Sequence, residues 1–318
     1  MDSFGSVSRP FRIGIAPIPG FALLSYACTV EPFRAANLLG KQNLYQVQHF
    51  AETAMTPSSG AATVEGALKL GETTDLDLLL VVAGGNPIAV ENPALFNWLR
   101  QLSRKGVTLG GVSGGPAILA KAGLMGNRRM TVHWEHAPAL SEMRPDLLLE
   151  RRLYIIDRDR VTCGGGTAPL DLAHALISKH HGPIFARLVS DWFLHTDIRP
   201  AANPQRSGLV ERVGTTAQPV LVAVAAMEDH IADPLSLEQL AASSGVTPRQ
   251  LNRVFAQKTG QTTMRYYRNL RLETGEKLLT GSSLPLTSIA LVTGFASSSN
   301  FTRAFSNRYG VPPSRFRQ

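Results

Sequence analysis

Ser113 stands in the run Gly111-Val112-Ser113-Gly114-Gly115, a G-x-S-x-G spacing that suits a strand turning sharply into a helix with the hydroxyl lifted at the bend. A serine so placed could attack a carbonyl, and its chemistry would be acyl transfer. A hydroxyl is a weak nucleophile unless a base, itself oriented by a third group, takes its proton. Downstream, His133-Trp134-Glu135-His136 offers two imidazoles, an indole and a carboxylate. Two chemical readings stay open. In one, His133 serves Ser113 as the base of a serine amidase or esterase. In the other, nothing reacts: Trp134 walls a pocket and Glu31 or Glu135 is its anionic contact, suited to a cationic or quaternary-amine ligand held over the ring face by ~0.5–2 kcal/mol. The plain alternative is that Trp134 fills core space and the histidines satisfy backbone groups.

The segments around Ser113 alternate between short apolar runs and helical patterns. FRIGIAPI (11–18), YQVQHF (45–50), LDLLLVVAGG (76–85) and VTLGGVS (107–113) are rich in Val, Ile and Leu and end at Gly or Pro, as strands covered on both faces do. EPFRAANLLG (31–40), PALFNWLRQLSRKG (93–106) and PAILAKAG (116–123) are helical. The pattern predicts an α/β doubly wound parallel sheet, with ligands collecting outside the carboxyl ends of strands. Gly84-Gly85 and the glycines from Gly110 to Gly115 fall at such ends. A helix starting near Pro116 would aim backbone N–H groups at a carbonyl or anionic oxygen above Ser113.

A second set of functional side chains lies far downstream. SLEQLAASSGVTPRQLNRVFAQKTG (236–260) and PLTSIALVTGFASSSNFTRAFSNRYG (285–310) repeat one pattern. A small Ala is followed four residues later by Gly, then a capping stretch, two core residues four apart and a closing Gly. Each copy predicts a helix-turn-helix. Gly245 and Gly294 end the first helix, and Thr247, Pro248 and Gln250 open the second as cap, first residue and capping-box partner. With Leu251, Val254 and Phe255 inward, Arg249, Gln250, Asn252 and Arg253 are presented outward. With Phe301, Ala304 and Phe305 inward, Ser298, Ser299, Asn300, Thr302 and Arg303 are presented. Arg pairs with guanine edges, and Asn or Gln with adenine edges, in a major groove. A helical bundle with a polar surface is the plain alternative. Against it stand two copies of the pattern and the charge. Of a net +8, +6 lies from Arg212 onward, where 12 Lys/Arg face 6 Asp/Glu, against 20 and 18 before it. Double-stranded DNA is the partner implied, with Arg265, Arg268 and Lys277 of the intervening segment as phosphate contacts.

At 318 residues two domains are expected. The boundaries read as a ligand-sensing domain over 11–195, a Pro/Gly-rich linker over 196–219 and a DNA-binding domain over 220–318. Cys28 and Cys163 are too few for a disulfide scaffold, and the histidines lack metal-ligand spacing. No metal or cofactor is expected. With neither a leader pattern nor an apolar run long enough to span a bilayer, the reading is a cytoplasmic protein without a membrane partner.

Two family resemblances follow from these residues. Residues 11–195 resemble the DJ-1/PfpI (class I glutamine amidotransferase-like) domain, through Glu31, Gly84-Gly85, the elbow at Ser113, AGLMGNRRMTVHW (122–134) and a late GGGTAPLDLAHALI. That resemblance implies a nucleophilic cysteine at the elbow, a glutamate from the first helix and a downstream histidine. Ser113 stands in the cysteine's place, with Glu31 and His133 in the other two. Residues 220–318 resemble AraC/XylS regulators, through Gly294-Phe295, Ser297 to Ser299, Phe301, Arg303, Phe305, Gly310, Pro313 and Phe316-Arg317. Thr263 departs from the proline usual in the first module. Together the halves resemble GlxA-type transcription regulators. The resemblance implies a non-enzymatic activator whose small-molecule effector, an amino acid or quaternary amine, is bound by Glu31, Gly85, Ser113, Gly114, His133, Trp134 and Glu135. It also implies a homodimer formed through the first domain, with RNA polymerase as a candidate partner.

Overall fold

The computed structural model describes residues 9–72, 75–206, 208–282 and 284–316, so Arg317 lies outside the described residues. The chain divides into two compact units, Met1–Gln205 and Arg206–Gln318.

The first unit is built on seven strands: β1 (Phe11–Pro17), β2 (Tyr45–Ala51), β3 (Leu68–Lys69), β4 (Leu78–Ala83), β5 (Thr108–Ser113), β6 (Tyr154–Asp157) and β7 (Arg160–Cys163). Their order across the sheet is β6-β7-β5-β4-β1-β2-β3. Every neighbouring pair is parallel except β6 with β7. All six residues of β4 are buried, which is why that run is uniformly apolar. Helices α1 (Leu23–Gly40), α2 (Pro93–Arg104), α3 (Gly115–Lys121), α4 (Ala137–Met143), α5 (Ala168–His181) and α6 (Pro183–Trp192) complete the unit. Strand order reverses at β1, flanked by β4 and β2, so the crevice at the carboxyl ends opens there. Phe21, Phe33, Tyr45, Leu80 and Val82 belong to the core beneath it.

Helix α1 begins at Leu23, eight residues before the helical run read from the sequence, and carries Pro32 in its interior. Proline usually ends a helix. Here burial of Cys28, Thr29, Pro32, Phe33, Ala35 and Ala36 along one face outweighs the lost backbone hydrogen bond.

The stretch read as a linker, 196–219, is ordered at both ends. Arg199 donates to the buried Asp171 through Nε (3.0 Å) and Nη2 (2.6 Å), and Leu153 N donates to Ala201 O and Asn203 O, both at 3.1 Å. A short helix, α7 (Leu209–Val213), belongs to the second unit, where Arg212 pairs with Glu228.

The second unit continues with α8 (Gln218–Asp229), α9 (Leu237–Ser243), α10 (Pro248–Thr259), α11 (Thr263–Gly281), α12 (Leu286–Val292), α13 (Ser298–Tyr309) and α14 (Pro313–Phe316). The repeat seen in the sequence is a repeat in structure: α9–α10 and α12–α13 are each a seven-residue helix followed by a twelve-residue one. Gly245 (φ 68°) and Gly294 (φ 71°) sit in the turns, in the left-handed region that glycine adopts without strain. Thr247 and Ser297 cap the second helices by accepting the N–H of Gln250 and Asn300. Leu251, Phe255, Phe301 and Phe305 are fully buried.

Candidate functional site

The first site forms where β5 ends. Ser113 has φ 59°, a left-handed conformation that costs a non-glycine residue of the order of 1–2 kcal/mol. Close approach on every side imposes it. A Cβ on Gly111 would lie 2.3 Å from Pro116 N, and one on Gly115 would lie 2.0 Å from Val81 O. Only glycine permits so abrupt a strand-to-helix turn. Ser113 pairs with Ala83 across β4–β5, and Gly114 N donates to Ala83 O at 3.0 Å. Gly114 therefore contributes its backbone shape to the elbow while its N–H is held by β4.

Of the other residues assigned to this pocket, the structure brings His133 to Ser113: His133 N donates to Ser113 O at 3.1 Å. The contact is made by backbone. Among the described residues, the Ser113 hydroxyl makes no hydrogen bond to a histidine. His133 Nδ1 faces the Glu135 N–H at 3.4 Å. Burial pushes the His133 pKa below its ordinary value, against the nearby Glu135 carboxylate. Burial, then the neighbouring His133, lowers His136 to about 4. The Trp134 ring lies 5.4 Å from that of His133. Glu135 is exposed and its carboxylate stands 3.8 Å from His133 Nδ1. Gly85, φ 58°, lies in the loop after β4.

Glu31 is not brought to the elbow. The α1 residue there is Ser25, whose Oγ accepts the Gly166 N–H at 2.8 Å. A Cβ on Gly165 would fall 2.6 Å from Ser113 Cβ and 2.9 Å from Ser25 Oγ. Glu31 is six residues further along, roughly 9 Å up the axis and about 120° round the helix from Ser25. There its carboxylate accepts Arg34 Nε (2.8 Å) and Nη2 (2.5 Å) at the surface.

The chain after β7 covers the elbow. Gly165 rests on Ser113, which is 5% exposed. Beside it, Gln205 forms a junction that sequence reasoning missed. Its Nε2 donates to Thr131 Oγ1 (2.9 Å), Val132 O (2.9 Å) and Arg152 O (2.7 Å), and its Oε1 accepts the Trp134 N–H at 2.8 Å. The glycine triplet 164–166 signalled close approach by its composition. A polar glutamine in a proline-rich stretch carried no such signal.

The second candidate site is the pair of twelve-residue helices α10 and α13. Arg249 and Arg253 on α10 and Arg303 on α13 are exposed, as are Ser299 and Asn300, with Ser298 and Thr302 half-buried. Arg253 and Arg303 occupy equivalent places, each two residues after the first buried core residue, Leu251 or Phe301. Arg303 Nη2 lies 3.4 Å from Asn300 Oδ1. Two of the expected readers also serve the fold. Gln250 Oε1 accepts the Thr247 N–H at 2.9 Å, closing the capping box. Asn252 Oδ1 accepts the Thr263 N–H at 3.1 Å, fixing the start of α11.

Helix α11, about 28 Å long at 1.5 Å per residue, joins the two modules. The Phe301 ring packs on Gly275, where a Cβ would lie 2.5 Å from it. Arg271 donates to Thr293 O (2.7 Å) and Gly294 O (2.5 Å), with its guanidinium 4.4 Å from the centre of the Phe295 ring. Arg265, Arg268 and Asn269 of α11 line a polar cavity of about 360 Å³ with Asn307 and Arg308 of α13.

Comparison with known proteins agrees with both halves. The DJ-1/PfpI family matches residues 40–179, and a helix-turn-helix domain matches residues 240–318. The chain is 41% identical to the HTH-type transcriptional regulator GlxA of Rhizobium meliloti, covering 96% of this chain and 95% of that one. It is 38% identical to the HTH-type transcriptional regulator CdhR of Pseudomonas aeruginosa, covering 94% and 89%. Among solved structures, an AraC family transcriptional regulator from Pseudomonas putida superposes with a TM-score of 0.53 at 23% identity, over 58% of this chain and all of that one. A ThiJ/PfpI family protein from Pseudomonas syringae gives 0.54 at 17%, over 74% and 91%. These two likenesses concern the fold.

Proposed function

Since the chain belongs to the family of HTH-type transcriptional regulators that join a DJ-1/PfpI domain to a helix-turn-helix domain, we propose that it is a metabolite-controlled, sequence-specific DNA-binding activator. The two reading helices enter successive major grooves on one face of the duplex. Arg249 and Arg253 meet base edges in one groove; Ser298, Ser299, Asn300, Thr302 and Arg303 meet them in the next. Arg265 and Arg268 position the protein on phosphates. An amino acid or quaternary amine binds at the elbow, against Ser113, His133 and Trp134, and biases how a homodimer engages DNA and RNA polymerase. No step of this reading requires covalent chemistry at Ser113.

The observation that carries it is the equivalence of Arg253 and Arg303, exposed at matching places on two capped helices that bury Leu251 and Phe255 in one copy and Phe301 and Phe305 in the other. Footprinting on promoter DNA tests it. Arg253→Ala should lose protection in one half of the site and Arg303→Ala in the other, with affinity falling by about 1–3 kcal/mol for each bidentate contact removed. Both variants protecting the site as the wild type does would end the assignment of the reading faces.

A further inference from the structure

Helix α6 carries an outward face that nothing in the first unit covers. Phe185, Ala186, Val189 and Ser190 are buried beneath it. On the opposite side Ile184 is 88% exposed, Leu188 49% and Trp192 51%, and Leu194, two residues past the helix end, is 87% exposed. Single exposed apolar residues are ordinary. Four within eleven residues, on one side of one element, make a patch of the kind that marks an interaction surface.

Leu194 is held outward. Its φ is 56°, a conformation unfavourable for a leucine. On one side Phe193 packs against the core, and on the other His195 Nε2 is bonded to the buried Asp171 at 2.8 Å. The charges on the same face are Arg187, whose Nη1 donates to Thr196 O at 2.6 Å, and Asp191, both exposed. In the order Arg then Asp, four residues apart, a pair opposes the helix dipole. Among the described residues, these two do not bridge.

We propose that this face is the seam on which a second copy of the chain docks, α6 against α6, antiparallel about a two-fold axis at the level of Val189. That operation sets each residue against the one equally far on the other side of 189. Ile184 meets the partner's Leu194, so the two most exposed apolar side chains cover each other. Arg187 meets the partner's Asp191, and Asp191 the partner's Arg187, forming two ion pairs absent in the single chain. Leu188 and Trp192 close the flanks. A surface that matches itself in both polarity and charge is what an isologous interface requires. A different partner has no reason to present Asp and Arg at this reciprocal spacing.

The seam is short. Ten residues give a helix of about 15 Å by ~10 Å across, a strip on the order of 150 Å² in projection, well under the ~800 Å² per partner of a stable interface. Association is therefore concentration-dependent in solution, and strengthened when two copies occupy neighbouring sites on one duplex.

This inference rests on the homodimer in the functional reading above, and the test separates the two. Sedimentation velocity of the full chain over a concentration series should show a monomer–dimer equilibrium. Ile184→Glu or Leu194→Glu should weaken it at least about tenfold, without lowering the melting temperature, because both side chains are in solvent. Arg187→Asp alone and Asp191→Arg alone should each weaken it, and the double variant Arg187→Asp/Asp191→Arg should restore it. Dimers that persist unchanged in all four variants would overturn the α6 seam while leaving the homodimer standing. A wild-type chain that stays monomeric throughout would overturn both.

Discussion

Thr263→Pro should stabilise the second unit, and the reason lies at the start of α11. Thr263 is the first residue of that helix and fully buried, and its Oγ1 has no hydrogen-bond partner. Its N–H is satisfied only by Asn252 Oδ1. The preceding Thr262 has φ −71° and ψ 153°, the extended conformation a residue before proline adopts, and proline is favoured at the first helical position. The second module already has this arrangement, with the buried Pro313 opening α14. Proline would remove an unpartnered hydroxyl whose desolvation costs about 1–3 kcal/mol. It would also restrict the unfolded chain by about 0.4–1 kcal/mol, while forfeiting one hydrogen bond of about 0.5–1.5 kcal/mol. The balance is a gain of about 1 kcal/mol, or roughly 4–8 °C in a unit of this size. Asn252→Ala completes a double-mutant cycle. In the wild type it orphans the Thr263 N–H and costs about 1–3 kcal/mol; in the Thr263→Pro background no N–H remains to orphan, and the cost falls close to zero. Denaturant melts of the four proteins measure the coupling, and DNA affinity of the double variant tests whether Asn252 also reads a base. Additivity within about 0.5 kcal/mol, or a lower melting temperature for Thr263→Pro, would refute the reasoning.

Other consequences concern the elbow. Ser113→Gly should relieve the left-handed strain and raise the melting temperature of the first unit by about 2–4 °C per kcal/mol gained, while abolishing the shift produced by an effector; a lower melting temperature would show that the strain is not where the backbone places it. Gly165→Ala forces a Cβ against Ser113 and Ser25 at φ 83° and should cost at least about 1–2 kcal/mol, measured by thermal melting. His136, with its folded pKa lowered to about 4, takes up a proton more readily when unfolded. Stability is thus full above the unfolded value near 6.5 and falls as pH drops from there toward 4, by about 3 kcal/mol in all. His136→Gln should flatten the melting profile across that interval, and an unchanged slope would exclude the histidine as its source.

What the sequence revealed depended on how local each signal was. The repeated helix pairs were legible because start, turn and stop are each encoded by the residue that adopts them: Thr247, Gly245 and Gly260 in one copy, Ser297, Gly294 and Gly310 in the other. The strands were legible because burial on both faces leaves an unbroken apolar run. Glu31 was put at the elbow by matching it to the first-helix glutamate of the resembling family, while burial carries α1 from Leu23 through Pro32 and sets Ser25 there instead. That Asn252 and Gln250 also serve the fold was not legible, because polarity alone does not tell a side chain that caps a neighbouring helix from one that only faces outward. Gln205 was invisible, since its four bonds reach residues 53 to 74 positions away.

The strain at Ser113 bears on the choice between turnover and recognition. A turn of this shape is most cheaply made by glycine, and glycines already occupy positions 111, 114 and 115, so a serine held at φ 59° is retained against a conformational cost. In an enzyme that cost would position a nucleophile beside its base, yet here His133 meets the elbow through its backbone and turns its Nδ1 to Glu135. What the cost leaves in place is one hydroxyl, nearly closed off by Gly165, beside the 131–134 segment, whose Trp134 hands its N–H to Gln205, the last residue of the first unit. In the proposed reading a ligand at Ser113 reaches it past Gly165 or the 131–134 segment, and Gln205 is bonded to that segment at three of its four residues. In the proposed reading, effector binding at the elbow is tied to the point where the first unit ends, a role for the strained serine that does not depend on acyl transfer.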